Sequence, residues 1–199
     1  MLYDTILSDL DGTLRLRPAV EADGAAVAAI YAPYVTDTVI TFDYEPVSGE
    51  EFSRRIRTTL ERYPYLVAEE NGEIIGYAYA SAFKGRAAYD WSIETSIYIR
   101  MDRRGQGAGR ALYEALETAL RSQNVLNVNA CITYPNPASV AFHEKLGYTT
   151  VAHFHRCGFK LGEWRDVIWM EKMLGEHQNP PLDFIPFSKL DREVKEHEV

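Results

Sequence analysis

The chain has 199 residues, with 21 Lys and Arg against 29 Asp and Glu, a formal charge of −8 at pH 7. That length suits one domain, and 46% hydrophobic with 25% charged residues is the balance of a chain that can bury a core. The acidic balance argues against a nucleic-acid footprint, which needs a basic face. No run of about 18 apolar residues offers a membrane span, and the two distant cysteines, Cys131 and Cys157, exclude a disulfide framework and a four-cysteine zinc site, with a reducing cytoplasm as the default setting.

The first segment, MLYDTILSDLDGTL, lacks the basic start of a secretory signal. Its ILSDLDGTL reads like the first motif of haloacid-dehalogenase-type phosphatases, with Asp9 as nucleophile and Asp11 as acid/base. Such an enzyme needs a further Lys, a distal acidic pair and a domain to hold Mg2+. A different domain begins straight after Thr13, so residues 1–13 are expected to be a leader without that activity: a fusion remnant, an altered start or an extra strand.

Period-2 alternation and i, i+3, i+4 recurrence then predict the elements in order. A strand over 14–17 precedes Pro18, an Ala-rich helix covers 23–34, and 35–49 is a loop with a strand-like core, VITF. A helix over 50–62 leads to strands 65–70 and 73–82, which form a hairpin across Asn71-Gly72, a pair suited to positive φ. After the loop FKGRAAYD come a strand over 91–100 and a helix to about 122, whose Leu112, Ala115, Leu116, Ala119 and Leu120 form one stripe. A strand over 125–132, a helix over 137–146 with Pro at its first position, and strands over 149–159 and 167–173 complete an α/β domain at 14–174. The acidic tail, 175–199, holds three prolines and a net charge of −3; Phe184, Ile185 and Phe187 are expected to pack before it frays.

Four features carry chemistry. RRGQGAGRAL, between a strand and a helix, places Gly105, Gly107 and Gly109 where backbone N–H groups and a helix dipole can meet a diphosphate, with Arg104 and Arg110 adding charge. It lacks the GK[ST] of a nucleotide P-loop and the GxGxxG of a dinucleotide fold. In DWSIETSIYIR, Glu94 sits mid-strand among polar neighbours, as a general base with a raised pKa or as a satisfied structural carboxylate. In YPNPASVAFHEKLGY, Asn136 is placed to cap a helix, and His143 lies two turns on. The loop FKGRAAYDW offers Lys84 and Arg86, as solvated charges or as a clamp for an anionic substrate group.

In this order the pieces resemble the GNAT acetyltransferase superfamily: RRGQGAGR is similar to its pyrophosphate loop, and NPASVAFHEKLGY to its later Asn-bearing helix. Within it, TFDYEPVS, RYPYLVAEENG, KGRAAYDWSIETSIY, FHEKLGY and GEWRDV resemble the phosphinothricin N-acetyltransferases. The resemblance implies a twisted, mixed but mostly antiparallel sheet of about seven strands, flanked by about four helices and splayed at an acetyl-CoA cleft. It implies that the backbones of Ile97, Tyr98 and Ile99 pair with the pantetheine arm, that the amides of Gly105, Gln106, Gly107, Ala108, Gly109 and Arg110 hold the pyrophosphate with Arg104 beside them, and that Asn136 bonds the cofactor. Glu94 is then the general base and His143, where many relatives carry Tyr, the acid; Lys84, Gly85, Arg86, Tyr89, Thr95 and Ser96 line the site of a small amino-acid-like substrate such as phosphinothricin. Methionine sulfoximine or sulfone, arsinothricin, a natural amino acid, and a non-catalytic acyl-CoA-binding role are the alternatives. No metal is expected, and a homodimer is.

Overall fold

A computed structural model describes residues 9–10 and 14–190. The phosphatase-like motif falls largely outside them, as does the end of the tail. Twelve elements follow the predicted order, with one addition: β1 (Asp9–Leu10), β2 (Leu14–Pro18), α1 (Gly24–Thr36), α2 (Gly49–Leu60), β3 (Tyr65–Glu70), β4 (Glu73–Ala82), β5 (Ser92–Ile99), α3 (Ala108–Ser122), β6 (Asn127–Tyr134), α4 (Pro137–Lys145), β7 (Thr149–Lys160) and β8 (Glu163–Met173). The addition is β1, a two-residue strand antiparallel to β2.

The strands form one sheet in the order β1-β2-β3-β4-β5-β6-β8-β7. Every neighbouring pair is antiparallel except β5 and β6. Alternation along each strand feeds two cores. Leu66, Ala78 and Ile93 pack with the α3 stripe of Leu112, Leu116 and Leu120, while Tyr65, Val67 and Tyr77 pack with Val27 and Ile30 of α1 and Phe52 and Ile56 of α2. Each fully buried Leu contributes about 1.5–3 kcal/mol relative to exposure. In the tail, Phe187 and Leu190 join the first core, with Phe184 and Ile185 against it.

Local signals account for the boundaries. Ser48 Oγ accepts from Glu51 N at 3.2 Å and starts α2. Asn71 (φ 52°) and Gly72 (φ 81°) make the predicted tight turn. The last two strands form a longer hairpin than alternation predicts, with β8 starting at Glu163, and β6 lies two residues beyond its predicted span.

The expected strand-like VITF segment is not a strand. Its loop is held by side chains instead of a ladder. The Lys160 ammonium, 2% exposed, donates to Thr41 O (2.7 Å) and Asp43 O (2.6 Å), and Thr133 Oγ1 donates to Ile40 O at 3.3 Å. Phe42 lies so close to Gly158 that a Cβ there would sit 2.1 Å from its ring.

Candidate active site

β5 and β6 pair only over Ser92, Ile93 and Glu94 with Asn127, Val128 and Asn129. Beyond that rung they diverge, and the cleft between them is lined by Thr95, Ser96, Ile97 and Tyr98 on one side and 130–133 on the other. Asn129 stitches the rung closed, its Nδ2 donating to Ser92 Oγ (3.0 Å) and Ile93 O (3.1 Å). Glu94 occupies this last rung half-buried. Burial pushes its carboxyl above the usual carboxylate range, and the positive charge of Lys84 pulls against that shift.

His143 is 3% exposed. Its Nδ1 lies 2.8 Å from the Ser139 carbonyl, which only accepts, so Nδ1 carries a proton. In the neutral ring, Nε2 is then an acceptor for the Tyr113 hydroxyl at 3.1 Å, and burial pulls the imidazole below its ordinary pKa while the Ser139 bond opposes the shift. The Tyr113 hydroxyl also lies 3.3 Å from Thr95 Oγ1, and Thr95 Oγ1 donates to Asn129 O at 3.3 Å. His143 therefore reaches the cleft alongside Tyr113, a residue that the sequence pattern does not single out. Thr95 is spent on this chain of contacts, whereas Ser96 stands opposite Tyr79.

The glycine loop precedes α3. Gly105 (φ 76°) and Gly107 (φ 95°) occupy the left-handed region, and Gly107 is the N-cap, with no side chain capping the first turn. The N–H groups of Ala108, Gly109 and Arg110 therefore lack intrahelical acceptors, as diphosphate binding requires. The two cations differ. Arg110 pairs with Glu114 at 2.7 Å on the exposed helix surface. Arg104 lies over the Tyr34 ring, 4.8 Å from its centroid, and donates to its hydroxyl at 3.2 Å.

Tyr34 meets the backbone that is expected to pair with the pantetheine arm. Its hydroxyl donates to Ile99 O at 2.5 Å and lies 3.3 Å from Ile99 N, so that backbone is already engaged. Strand geometry turns alternate backbone groups to opposite neighbours. Arg100 N donates to Ile75 O on the β4 side, while Trp91 O accepts from Leu126 N and Asn127 N on the β6 side. By this parity the Tyr98 backbone faces β4, its ring packing with Tyr31, Tyr34 and Tyr77, while Ile97 turns its backbone toward the cleft beyond the last β5–β6 pair.

Asn136 accepts from Ser139 N at 3.2 Å and caps α4, while still lining the cleft. Lys84, Gly85, Arg86 and Tyr89 are all exposed, on the loop that leaves β4. That loop starts beside Glu94, because Ser81 is the register partner of Glu94. Lys84 Nζ lies 5.0 Å from the Phe83 ring centroid.

Residues 16–169 match the family model described as an acetyltransferase (GNAT) domain. The phosphinothricin N-acetyltransferase of Streptomyces viridochromogenes is 36% identical over 177 residues, 89% of this chain and 96% of the relative. The L-methionine sulfoximine/L-methionine sulfone acetyltransferase of Salmonella typhimurium is 32% identical over 168 residues, 84% of this chain and 98% of the relative. Among solved structures, a GNAT superfamily phosphinothricin acetyltransferase from Sinorhizobium meliloti in complex with AcCoA superimposes with a TM-score of 0.81 at 36% identity, covering 88% of this chain and 97% of the other. The chain belongs to the GNAT acetyltransferase family and is an N-acetyltransferase.

Proposed function

We propose that the chain transfers the acetyl group of acetyl-CoA to the amino group of a small amino acid that carries a second anionic group, phosphinothricin being the model substrate, with Glu94 as general base. The observation that carries this reading is the position of Glu94: an ionisable group half-buried at the point where two parallel strands part, with its pKa raised toward the range a base needs.

Acetyl-CoA is a substrate and supplies the activated thioester. The unpaired N–H groups of α3 and the left-handed glycines fit its diphosphate, and the Ile97 backbone fits its extended arm. Glu94 takes a proton from the substrate ammonium, directly or through one water. The freed amine attacks the thioester carbonyl, the C–S bond breaks, and the products are the acetamide and CoA. The departing thiolate takes its proton from the Tyr113 hydroxyl, which His143 holds in position, and the second proton that the nitrogen sheds on becoming an amide restores that hydroxyl. Lys84 and Arg86 hold the second anionic group of the substrate, and the positive charge of Lys84 favours the ionised, base form of Glu94.

Acetyl transfer to phosphinothricin, methionine sulfoximine, methionine sulfone, arsinothricin and natural amino acids ranks the substrates by kcat/KM. Transfer to none of them, with acetyl-CoA still stabilising the fold, would replace this reading by a non-catalytic acyl-CoA-binding role. We further propose a homodimer. Its support is the apolar surface of the β7–β8 hairpin, where Phe154, Phe159, Leu161 and Trp164 are 50%, 45%, 57% and 62% exposed.

A further inference from the structure

The β7–β8 hairpin holds a second cluster of chemistry that acetyl transfer does not use. Its ladder slips register between Phe154 and Gly158. Within the slip Arg156 adopts a φ of 49°, and its N–H donates to Asp166 Oδ1 at 2.8 Å. That bond fixes the carboxylate and leaves Oδ2 to face two imidazoles. His153 Nε2 lies 2.8 Å from Oδ2 and His155 Nδ1 3.0 Å from the same oxygen. The rings stand 4.2 Å apart, tilted by 40°, and the three ligating atoms all lie within 4.8 Å of one another.

Two imidazoles that meet one carboxylate oxygen through different nitrogens have the layout of a chelate. Zinc bonds of about 2.0–2.2 Å to N and O set ligand atoms about 3.4 Å apart in a tetrahedron, so the two N···O gaps of 2.8 and 3.0 Å open by about half an ångström while the two imidazole nitrogens, within 4.8 Å of each other, draw together by side-chain rotation. The sequence supplies the set compactly: His153 and His155 alternate along one strand, and Asp166 comes from its neighbour. The side chains are 35%, 75% and 26% exposed, which lets an ion enter and lets water complete its shell. Two imidazoles and a carboxylate, with no thiolate, suit borderline divalent ions, and the Arg156 N–H orients the carboxylate from behind, as outer partners of metal ligands do.

We propose that His153, His155 and Asp166 bind a divalent transition-metal ion of the Zn2+ type, which staples β7 to β8 across the slipped register. This differs from the expectation of a metal-free chain and assigns the ion no step in acetyl transfer.

Calorimetric titration of the tag-free, chelator-stripped full chain with Zn2+ tests it. The expected result is one Zn2+ per chain and a raised melting temperature, both lost in the His153→Ala/His155→Ala double variant. Co2+ loaded in place of Zn2+ is expected to show ligand-field bands without a thiolate charge-transfer band. Circular dichroism of the metal-free variant checks that it folds, and Asp166→Asn, which keeps an acceptor for Arg156 N, is a second variant expected to bind at least tenfold more weakly. Unchanged stoichiometry in the double variant, a thiolate band with Co2+, or no Zn2+ uptake by the wild-type chain would each overturn the proposal.

Discussion

Glu94 stands opposite Asn129 in the last register pair that joins β5 to β6. Asn129 spends its side-chain amide on Ser92 and Ile93, immediately before Glu94. The point of divergence is thereby fixed by a buried side chain, and the carboxylate is carried to it by strand register. Sequence spacing, backbone geometry and candidate chemistry meet at this one rung.

Lys160, on the edge strand β7, holds the loop whose Ile40 lines the cleft. Replacing it with Met leaves the carbonyls of Thr41 and Asp43 without their donor, and an unmet buried acceptor costs about 1–3 kcal/mol. Urea unfolding of Lys160→Met is expected to show a stability loss of at least about 2 kcal/mol with little change in slope. Steady-state kinetics are expected to show a lower kcat/KM, because Ile40 of the released loop lines the cleft.

At Gly107 the backbone, not space, is the constraint: a Cβ would meet nothing within 4 Å, yet φ is 95°. Holding Ala in the left-handed region costs about 1–2 kcal/mol. If that strain shifts the first turn of α3, the KM for acetyl-CoA in Gly107→Ala rises about tenfold, since about 1.4 kcal/mol is a factor of ten. Titration calorimetry with CoA is expected to show the same loss.

In the proposed mechanism Tyr113 is the proton donor and His143 its support. Tyr113→Phe is expected to lower kcat about 10²-fold, the low end of what positioned proton transfer contributes, with little change in KM. His143→Ala is expected to lower kcat by less. His143→Gln, whose side-chain oxygen can accept from Tyr113, is expected to recover part of that loss. Burial keeps His143 neutral at pH 7, so no loss of activity from its protonation is expected until the pH falls below the ordinary imidazole range.

The exposed hairpin aromatics predict assembly. Sedimentation of the wild-type chain is expected to give a dimer, and Trp164→Glu, which places a charge on a side chain 62% exposed, is expected to shift it to monomer.

Local pattern was enough to read the glycine loop, the Asn136 cap, the Asn71-Gly72 turn and the place of Glu94 in its strand, because each depends on residues a few positions apart. Tyr34 and Lys160 were not legible in that way. Tyr34 bonds Ile99 across 65 positions, and Lys160 bonds Thr41 across 119; neither residue departs from the period of its own element. Tyr113 carries no signal of its own in the sequence, because its hydroxyl finds its partners on two distant elements, Thr95 on β5 and His143 on α4. The cleft-facing parity of β5 is set by both neighbouring strands, so a motif of consecutive residues does not show which of their backbones turn toward the groove.

The proposed role of Glu94 as general base is tested most directly by the pH dependence of kcat/KM. A carboxyl raised by burial is protonated and inactive below its pKa and active above it, so the wild-type profile should climb with pH through a pKa above the ordinary carboxylate range. Glu94→Gln should lower kcat/KM about 10²–10⁴-fold and abolish that limb. A Glu94→Gln enzyme with wild-type turnover, or one that keeps the same acidic limb, would contradict the account.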